Sequence, residues 1–338
     1  KWGILERIGF LLIFLSLKYF LDSQYILFLF LGTYAIFVYS SGAILPAYFD
    51  LVSRLLYKYR AVFFAANLTT GSLAGFIVSS YVDSQIQKNG LIEGFLDGLL
   101  VVIIITSISL VPLILIKEPR SNKTSKSKIT IKLIKQRLDN WYEIFSTSKD
   151  IKVVAKSNLV SSIPESIAPF FTIWLIGFYS IDSSKIGIWV TLLLISQSLG
   201  SFIVPIIASK FGFKITYIFG LLFHFIANGL FLLEPLIFQN LIFIFAGLGA
   251  GTFVTSQSNI SVEIGTVGDA GNTNAMLTTF RLPGLLLGPF IFAYFVNVEN
   301  VNFFLIASLV SSLAGMLIMK FEMKNKILPQ VRFWSRDS

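Results

Sequence analysis

A stretch near the amino terminus, Gln24-Tyr-Ile-Leu-Phe28-Leu-Phe30-Leu-Gly32-Thr-Tyr-Ala35, decides how this chain is interpreted, because it recurs later in the sequence. The second copy is Gln239-Asn-Leu-Ile-Phe243-Ile-Phe245-Ala-Gly247-Leu-Gly-Ala250. Gln, both Phe, Gly and Ala keep their places at an offset of 215 residues. A repeat at half-protein distance in an apolar chain is typical of two similar helix bundles.

Two further blocks align in the same order. Lys1-Trp-Gly3 matches Lys210-Phe-Gly212 at an offset of 209 residues. Gly71-Ser-Leu-Ala-Gly75-Phe-Ile matches Gly284-Leu-Leu-Leu-Gly288-Pro-Phe-Ile at 213, with one insertion. The apolar spans of the first half therefore correspond to the last four spans of the second half. We expect two further helices upstream of the given first residue.

The composition points to lipid as the natural solvent. Hydrophobic residues make up 55% of the 338-residue chain and charged residues 13%, whereas a soluble protein carries about 25% charge. The mean hydropathy is +0.77. There is no cysteine, which excludes disulfides, iron–sulfur clusters and thiol catalysis.

Because about 20 apolar residues are needed to cross a bilayer as a helix, the sequence predicts an all-α, polytopic membrane protein with about ten transmembrane helices. They form two pseudo-symmetric bundles of four and six. The predicted spans are 8–21, 24–45, 61–82, 96–116, 154–180, 186–208, 214–233, 238–258, 272–296 and 301–319.

The distribution of positive charge supports these spans. Only Lys18, Lys88 and Lys185 of the 27 Lys and Arg residues fall on one side, against 23 on the other, with Arg281 inside a span. Lys and Arg are retained on the cytoplasmic side during insertion. Both termini are therefore predicted to be cytoplasmic, and the net charge of +9 needs no nucleic-acid partner.

The polar connection 117–153 divides the chain into domains. We predict a truncated four-span bundle at 1–116, a cytoplasmic linker at 117–153, a six-helix bundle at 154–319 and a cytoplasmic tail at 320–338. The apolar spacing from Ile129 to Trp141 fits a short amphipathic helix on the membrane surface.

Several connections resemble motifs of the major facilitator superfamily. Ala208-Ser-Lys210-Phe-Gly212-Phe-Lys214 is similar to that family's basic glycine motif between the second and third helices of each half, with Ser209 where the family has an acidic residue. Ile44-Leu-Pro46 with Arg60 resembles the connection into its fifth helix, and Arg281-Leu-Pro-Gly284 its eleventh helix. The resemblance implies six plus six helices, and makes Lys210, Gly212 and Lys214 a gating-loop motif.

Glu165 is the sharpest candidate for a functional residue. It lies in Ile163-Pro-Glu165-Ser-Ile-Ala-Pro169, about 11 residues into its span, where a carboxylate is expensive unless it is protonated, paired or hydrated. The flanking prolines interrupt helical hydrogen bonding. Glu165 is interpreted as a proton-coupling or substrate-binding acid. The alternatives are half of a structural ion pair, or an interfacial glutamate if the span boundary lies elsewhere.

Arg281 lies at a comparable depth, about ten residues or 15 Å into span 272–296. It is a candidate partner for Glu165 or for an anionic substrate, since an unpaired guanidinium in lipid is costly. By resemblance, further candidates lie on helices that line a cavity, with interhelical hydrogen bonding as the alternative. These candidates are Tyr34, Asn158, Gln257, Asn259 and Asn67, the last beside the Arg281 position in the repeat.

Two other groups are predicted to be structural. His224 is the only histidine, and a local hydrogen bond is expected to hold it, although its titration range suits a proton relay. The glycine pairs of several spans are expected to permit close helix approach. They are Gly71/Gly75, Gly284/Gly288, Gly247/Gly251 and Gly90/Gly94/Gly98.

The sequence therefore predicts a secondary active transporter that moves a small solute, with or without protons, by alternating access in the cell membrane. The alternative is a non-transporting membrane sensor or scaffold protein with the same fold. An enzyme is not expected, because phosphate-loop and nucleophile-elbow motifs are missing. No cofactor, metal or nucleic acid is expected; the partners are the solute and the lipid bilayer, and a monomer is the default state.

Overall fold

The computed structural model describes residues 2–21, 23–56, 59–109, 139, 141–182, 185–265 and 270–323. Besides the helical segment at 141–147, the described ranges contain twelve helices. They are α1 (Trp2–Phe20), α2 (Ile26–Leu55), α3 (Arg60–Asn89), α4 (Leu91–Ile108), α5 (Lys149–Ile167), α6 (Phe170–Gly177), α7 (Ile186–Phe211), α8 (Phe213–Leu233), α9 (Pro235–Ile264), α10 (Ala270–Thr279), α11 (Leu282–Tyr294) and α12 (Val301–Glu322).

The predicted all-helical membrane fold is confirmed. Most of the described residues of the predicted spans are helical, with turns near several span ends, and seven helical stretches of the described chain are long and apolar enough to cross a membrane. Two predicted spans differ from single helices: 154–180 consists of α5 and α6, and 272–296 consists of α10 and α11. The end of span 96–116 lies outside the described residues.

The chain divides into two compact units. One comprises Lys1–Leu51 and Ile77–Ile129, and the other Val52–Phe76 and Thr130–Ser338. In the first unit α1 packs against α4, and the Arg7 Nε donates to the Thr106 carbonyl at 3.1 Å. The predicted domain boundary within 117–153 falls mostly outside the described residues.

The second unit is built around tightly packed helices α5 to α12. Its core has two apolar clusters, one containing Tyr217 and Phe253 and the other containing Trp174 and Trp189. Trp189 stacks on Phe243 with 5.1 Å between ring centroids. Residues 141–147 are helical, whereas nearly all of the amphipathic helix predicted at 129–141 lies outside the described residues.

Glycines set the closest helix contacts of the second unit. A Cβ at Gly247 or Gly251 would collide with backbone of α7, and a Cβ at Gly284 would collide with Ser162 of α5. The predicted close approach is therefore present at these positions. Within the described residues, a Cβ at Gly71 would meet no atom closer than 4 Å, and Gly90, with φ of +86°, lies in the turn between α3 and α4, so close helix approach is not seen at either glycine.

Candidate functional site

The span that carries Glu165 is interrupted beside that residue. Helix α5 ends at Ile167 and α6 begins at Phe170. Pro169 lacks an N–H and disfavours helix at the residue before it. The backbone hydrogen bonds of α5 therefore cannot continue through this point. The Phe171 N–H bonds to the Ala168 carbonyl at 3.3 Å, a tighter turn than an α-helix. Glu165 thus lies in the last turn before a break.

The span that carries Arg281 is interrupted at that residue itself. Helix α10 ends at Thr279 and α11 begins at Leu282, with Arg281 as its N-cap. Pro283 at the start of α11 explains the interruption, because proline suits the first turn of a helix and breaks an interior. The Arg281 N–H bonds to the Thr278 carbonyl at 2.9 Å. Both charged residues therefore occupy discontinuities in the backbone.

The structure joins the two residues in an ion pair. Arg281 Nε donates to Glu165 Oε2 at 3.1 Å, and Arg281 Nη2 forms a second bond to Glu165 Oε1. This two-bond geometry matches the planar guanidinium to the carboxylate. The side chains are mostly enclosed, with 11% of Arg281 and 22% of Glu165 exposed. Pairing makes the site neutral overall, which lowers the cost of holding charges within a span.

Two further side chains hold the guanidinium. Arg281 Nη1 donates to Gln257 Oε1 at 2.8 Å, so α9 contributes a third bond. The Arg281 Cζ also lies over the Phe253 ring, 5.4 Å from its centroid, within the range of a cation–π interaction. Sequence reasoning singled out Gln257 and missed Phe253. The signal for Phe253 is its spacing four residues before Gln257, which places both on one helix face.

Tyr217 and Asn158 form a separate hydrogen-bonded network between helices. Tyr217 Oη donates to Asn158 Oδ1 at 2.9 Å, and Asn158 Nδ2 donates to the Leu277 carbonyl at 3.1 Å. Both side chains are fully buried. Asn158 therefore links α5 to α8 and α10, as expected for interhelical hydrogen bonding in a membrane.

Two other predicted candidates of the second unit, Asn67 and Asn259, show no hydrogen bond to the ion pair among the described residues. Asn67 is exposed on α3, and Tyr34 is exposed on α2 of the first unit. Asn259 is buried, and its Nδ2 donates to the Thr255 carbonyl one turn earlier in α9, at 2.9 Å. The structure thus brings together Glu165, Arg281 and Gln257 from the predicted set.

The predicted gating-loop motif forms the tight turn between α7 and α8. Gly212 has φ of +83°, a conformation that favours glycine. Lys214 Nζ donates to the carbonyls of Lys320 and Met323 at the end of α12, where a cation complements the helix dipole. Lys210 is exposed. Lys214 therefore fixes the end of α12 to the beginning of α8.

A second Arg–Glu pair lies at helix ends. Arg60 is the first residue of α3, and Glu263 is the residue before the last of α9. They form an ion pair with 4% of the Arg60 side chain and 16% of the Glu263 side chain exposed. Sequence reasoning noted Arg60 and missed Glu263, because nothing in a single sequence indicates which helix ends meet.

His224 is buried in α8, against Gly249 and the Phe253 ring. Within the described part of the chain, its Nε2 meets no hydrogen-bond partner, so the predicted local hydrogen bond is not seen at that nitrogen. Among the described residues, no group of three or more His, Asp or Glu could hold a metal ion.

An apolar groove of about 580 Å³ lies between α5, α11 and α12. Its wall includes Leu159, Leu287 and Phe303, which are exposed, and it leaves out Glu165 and Arg281. Such a lining suits lipid chains better than a polar solute, so the groove is separate from the ion-pair site.

The fold is that of the major facilitator superfamily. One similar solved structure is a bacterial homologue of the iron transporter ferroportin in an outward-facing state, with a TM-score of 0.68 and 13% identity over 96% of this chain and 82% of the other. Another is the major facilitator superfamily transporter FucP in the outward conformation, with a TM-score of 0.60 and 13% identity over 96% and 84% of the two chains.

In sequence, no protein-family model matches the chain, and no curated protein matches it. The resemblance seen in the sequence motifs is thus confirmed at the level of fold. The chain is an integral membrane protein with this architecture; of the structures named above, one is a transporter and the other a homologue of a transporter.

Proposed function

We propose that this protein is a secondary active transporter that moves a small solute across the cell membrane by alternating access. The observation that carries the proposal is the Glu165–Arg281 pair, which lies where two spans are interrupted. Interrupted spans with polar side chains at mid-depth are typical of transporter binding sites. A protein that only scaffolds has no need of charges at that depth.

The pair is suited to opening. Each partner follows or precedes a proline-induced break, so local backbone rotation can move one side chain without bending a whole helix. Because ionisable groups within a membrane are costly when unpaired, a pair persists best where solute, proton or water replaces the lost partner. Glu165 is the candidate proton carrier, since a carboxylate can neutralise its charge and a guanidinium cannot.

The Arg60–Glu263 pair provides the closure of one side in this proposal. It joins the beginning of α3 to the end of α9, and both helix ends are on the side predicted to be cytoplasmic. Further along α3, the Thr69 Oγ1 lies 2.8 Å from the Ser201 Oγ of α7. Opening toward the cytoplasm would separate these contacts, whereas opening to the other side would leave them intact.

Labelling of introduced cysteines tests alternating access without knowledge of the solute. The chain has no cysteine of its own, so Gln257→Cys carries the only thiol. In vesicles of known orientation, a membrane-impermeant thiol reagent should label this residue from either side. The matched control is Ser256→Cys, whose native hydroxyl bonds to Thr216 inside the unit. It should stay unlabelled from both sides.

Labelling of Gln257→Cys from neither side, or from one side only, would overturn alternating access and favour the sensor or scaffold. Equal labelling of Ser256→Cys would show that the bundle opens non-specifically, which also contradicts the proposal.

A further inference from the structure

We infer that the transported solute carries a carboxylate or a similarly forked anionic group, which binds Arg281 in place of Glu165, and that each anion binds together with one proton on Glu165. This inference rests on the proposed transport function and names the substrate class of the same site.

The two members of the pair are held unequally. Arg281 keeps contacts with Gln257 and with the Phe253 ring that do not depend on Glu165. Within the described chain, the hydrogen bonds of the Glu165 carboxylate go to Arg281 alone. Arg281 is therefore the fixed member, and Glu165 is the member that can be exchanged.

The chemistry of the two groups gives the same direction. An anion that displaces Glu165 leaves a carboxylate, which can take up a proton and become neutral. A cation that displaced Arg281 would leave a guanidinium, which cannot lose its proton in a protein. Exchange with an anion therefore leaves no uncompensated charge in the span, whereas exchange with a cation does.

The geometry selects the class of anion. Nε and Nη2 of Arg281 present two parallel donors, which Glu165 fills with both of its oxygens. A carboxylate or phosphate group fits the same fork. The 22% exposure of the Glu165 side chain, twice that of Arg281, means that the carboxylate is the more accessible partner.

The exchange balances in charge. Before it, the site holds Arg281⁺ and Glu165⁻. After it, the site holds Arg281⁺, the solute anion and neutral protonated Glu165, so one anion and one proton have entered together. The only covalent bond that forms is the Glu165 O–H bond, and no oxidant or reductant is required.

Benzoate, benzylammonium and benzyl alcohol form a matched set of probes, because they share a ring and differ in charge. Their dissociation constants can be measured on the full chain in detergent by calorimetry. At about pH 7, where free carboxylates are ionised, benzoate should bind Glu165→Gln about tenfold or more tightly than it binds the unaltered protein. The double variant Glu165→Gln/Arg281→Gln should lose this gain.

The unaltered protein supplies an independent arm. Its benzoate affinity should rise up to about tenfold for each unit by which the pH falls, since one proton accompanies each anion. Among the described residues, Tyr217 and His224 of α8 are the other titratable side chains that interact electrostatically with Glu165. Both remain in Glu165→Gln, whose affinity should stay constant over the same range. Benzylammonium and benzyl alcohol should show neither response.

The inference is overturned if Glu165→Gln binds benzoate no more tightly than the double variant, or if the affinity of the unaltered protein is independent of pH. Two-sided labelling of Gln257→Cys with such a result would retain the transporter and reject the anionic class. Benzoate binding as described, together with one-sided labelling, would retain the anion site and reject transport.

Discussion

The protein contains two Arg–Glu pairs that are alike in chemistry and different in setting. Arg281–Glu165 joins two spans at their interruptions, and Arg60–Glu263 joins the ends of two continuous helices. Both pairs are largely enclosed, with Arg60 at 4% exposure even more buried than Arg281 at 11%. Burial therefore does not distinguish the candidate solute site from the pair that is proposed to close one side.

The backbone around each pair makes the distinction. Near Arg281 and Glu165 the helical ladders are broken, and a third side chain and an aromatic ring hold the cation without the carboxylate. Arg60 instead begins a 30-residue helix. The first pair can lose one member locally, whereas the second opens only when helix ends separate.

Removal of Arg281 should have the largest effect. Arg281→Gln removes the contacts of the guanidinium with Gln257 and Phe253 as well as the ion pair, which should destabilise the protein by about 3 kcal/mol even after Glu165 takes up a proton. Thermal unfolding in detergent measures the change. The double variant with Glu165→Gln should recover only part of the loss, and Glu165→Gln alone should cost less because Gln257 and Phe253 still hold the guanidinium. Equal losses in both single variants would contradict the unequal anchoring.

The packing contact between α5 and α11 is expected to determine the separation of Glu165 and Arg281. A Cβ at Gly284 would lie 2.6 Å from the Ser162 Cβ, so Gly284→Ala should destabilise by about 1–3 kcal/mol through overpacking and weaken the ion pair. The repeat supplies a matched control, because Gly71 aligns with Gly284 and a Cβ there would meet no atom of the described chain within 4 Å.

Gly71→Ala should be neutral or stabilise by up to about 1 kcal/mol, since alanine favours helix over glycine. Unfolding midpoints of the two variants give the comparison. An unfolding midpoint for Gly284→Ala as high as that of Gly71→Ala would show that the α5–α11 contact does not determine the spacing of Glu165 and Arg281.

The Arg60–Glu263 pair is the next test. In a double-mutant cycle with Arg60→Gln and Glu263→Gln, the coupling energy should be about 1 kcal/mol or more, because the two side chains are in direct contact. The charge-exchanged variant Arg60→Glu/Glu263→Arg should recover part of the stability lost in either reversal alone. A coupling energy near zero would show that Arg60 and Glu263 do not stabilise each other, which contradicts their proposed role in closure.

The smallest effect is expected at an exposed pair of the second unit. Lys156 Nζ lies 2.9 Å from Glu322 Oε2, with 58% and 41% of the two side chains exposed. Such surface pairs contribute about 0–1 kcal/mol. Lys156→Ala should therefore lower the unfolding midpoint by much less than Arg60→Gln, and high salt should remove the difference from the unaltered protein. A loss as large as that of Arg281→Gln would show that an ion pair matters here regardless of its setting.

The features that follow local rules were predictable from the sequence. Apolar length predicted the spans, and charge at mid-depth predicted Glu165 and Arg281. The interruption of α5 was foreseeable from Pro164 and Pro169, but that of α10–α11 was missed although Pro283 marks it. Such a proline is compatible with either a kink or a break, and packing against neighbouring helices decides between them.

The features that depend on which helices meet were not predictable. Phe253 and Glu263 acquire their roles only through partners 28 and 203 residues away in sequence. Gly71 and Gly284 share a repeat position, yet only Gly284 faces a neighbouring backbone. A repeat conserves helix order without conserving each interface, so the glycine pattern predicted both contacts and only one exists.

In the proposed mechanism, the Arg281–Glu165 pair holds the solute site and the Arg60–Glu263 pair closes the side predicted to be cytoplasmic. The most direct test is the ratio of Gln257→Cys labelling from the two sides of the membrane, with and without Arg60→Gln. If the account is correct, Arg60→Gln should raise labelling from the side of Glu263 severalfold and lower it from the opposite side. An unchanged ratio would contradict the account.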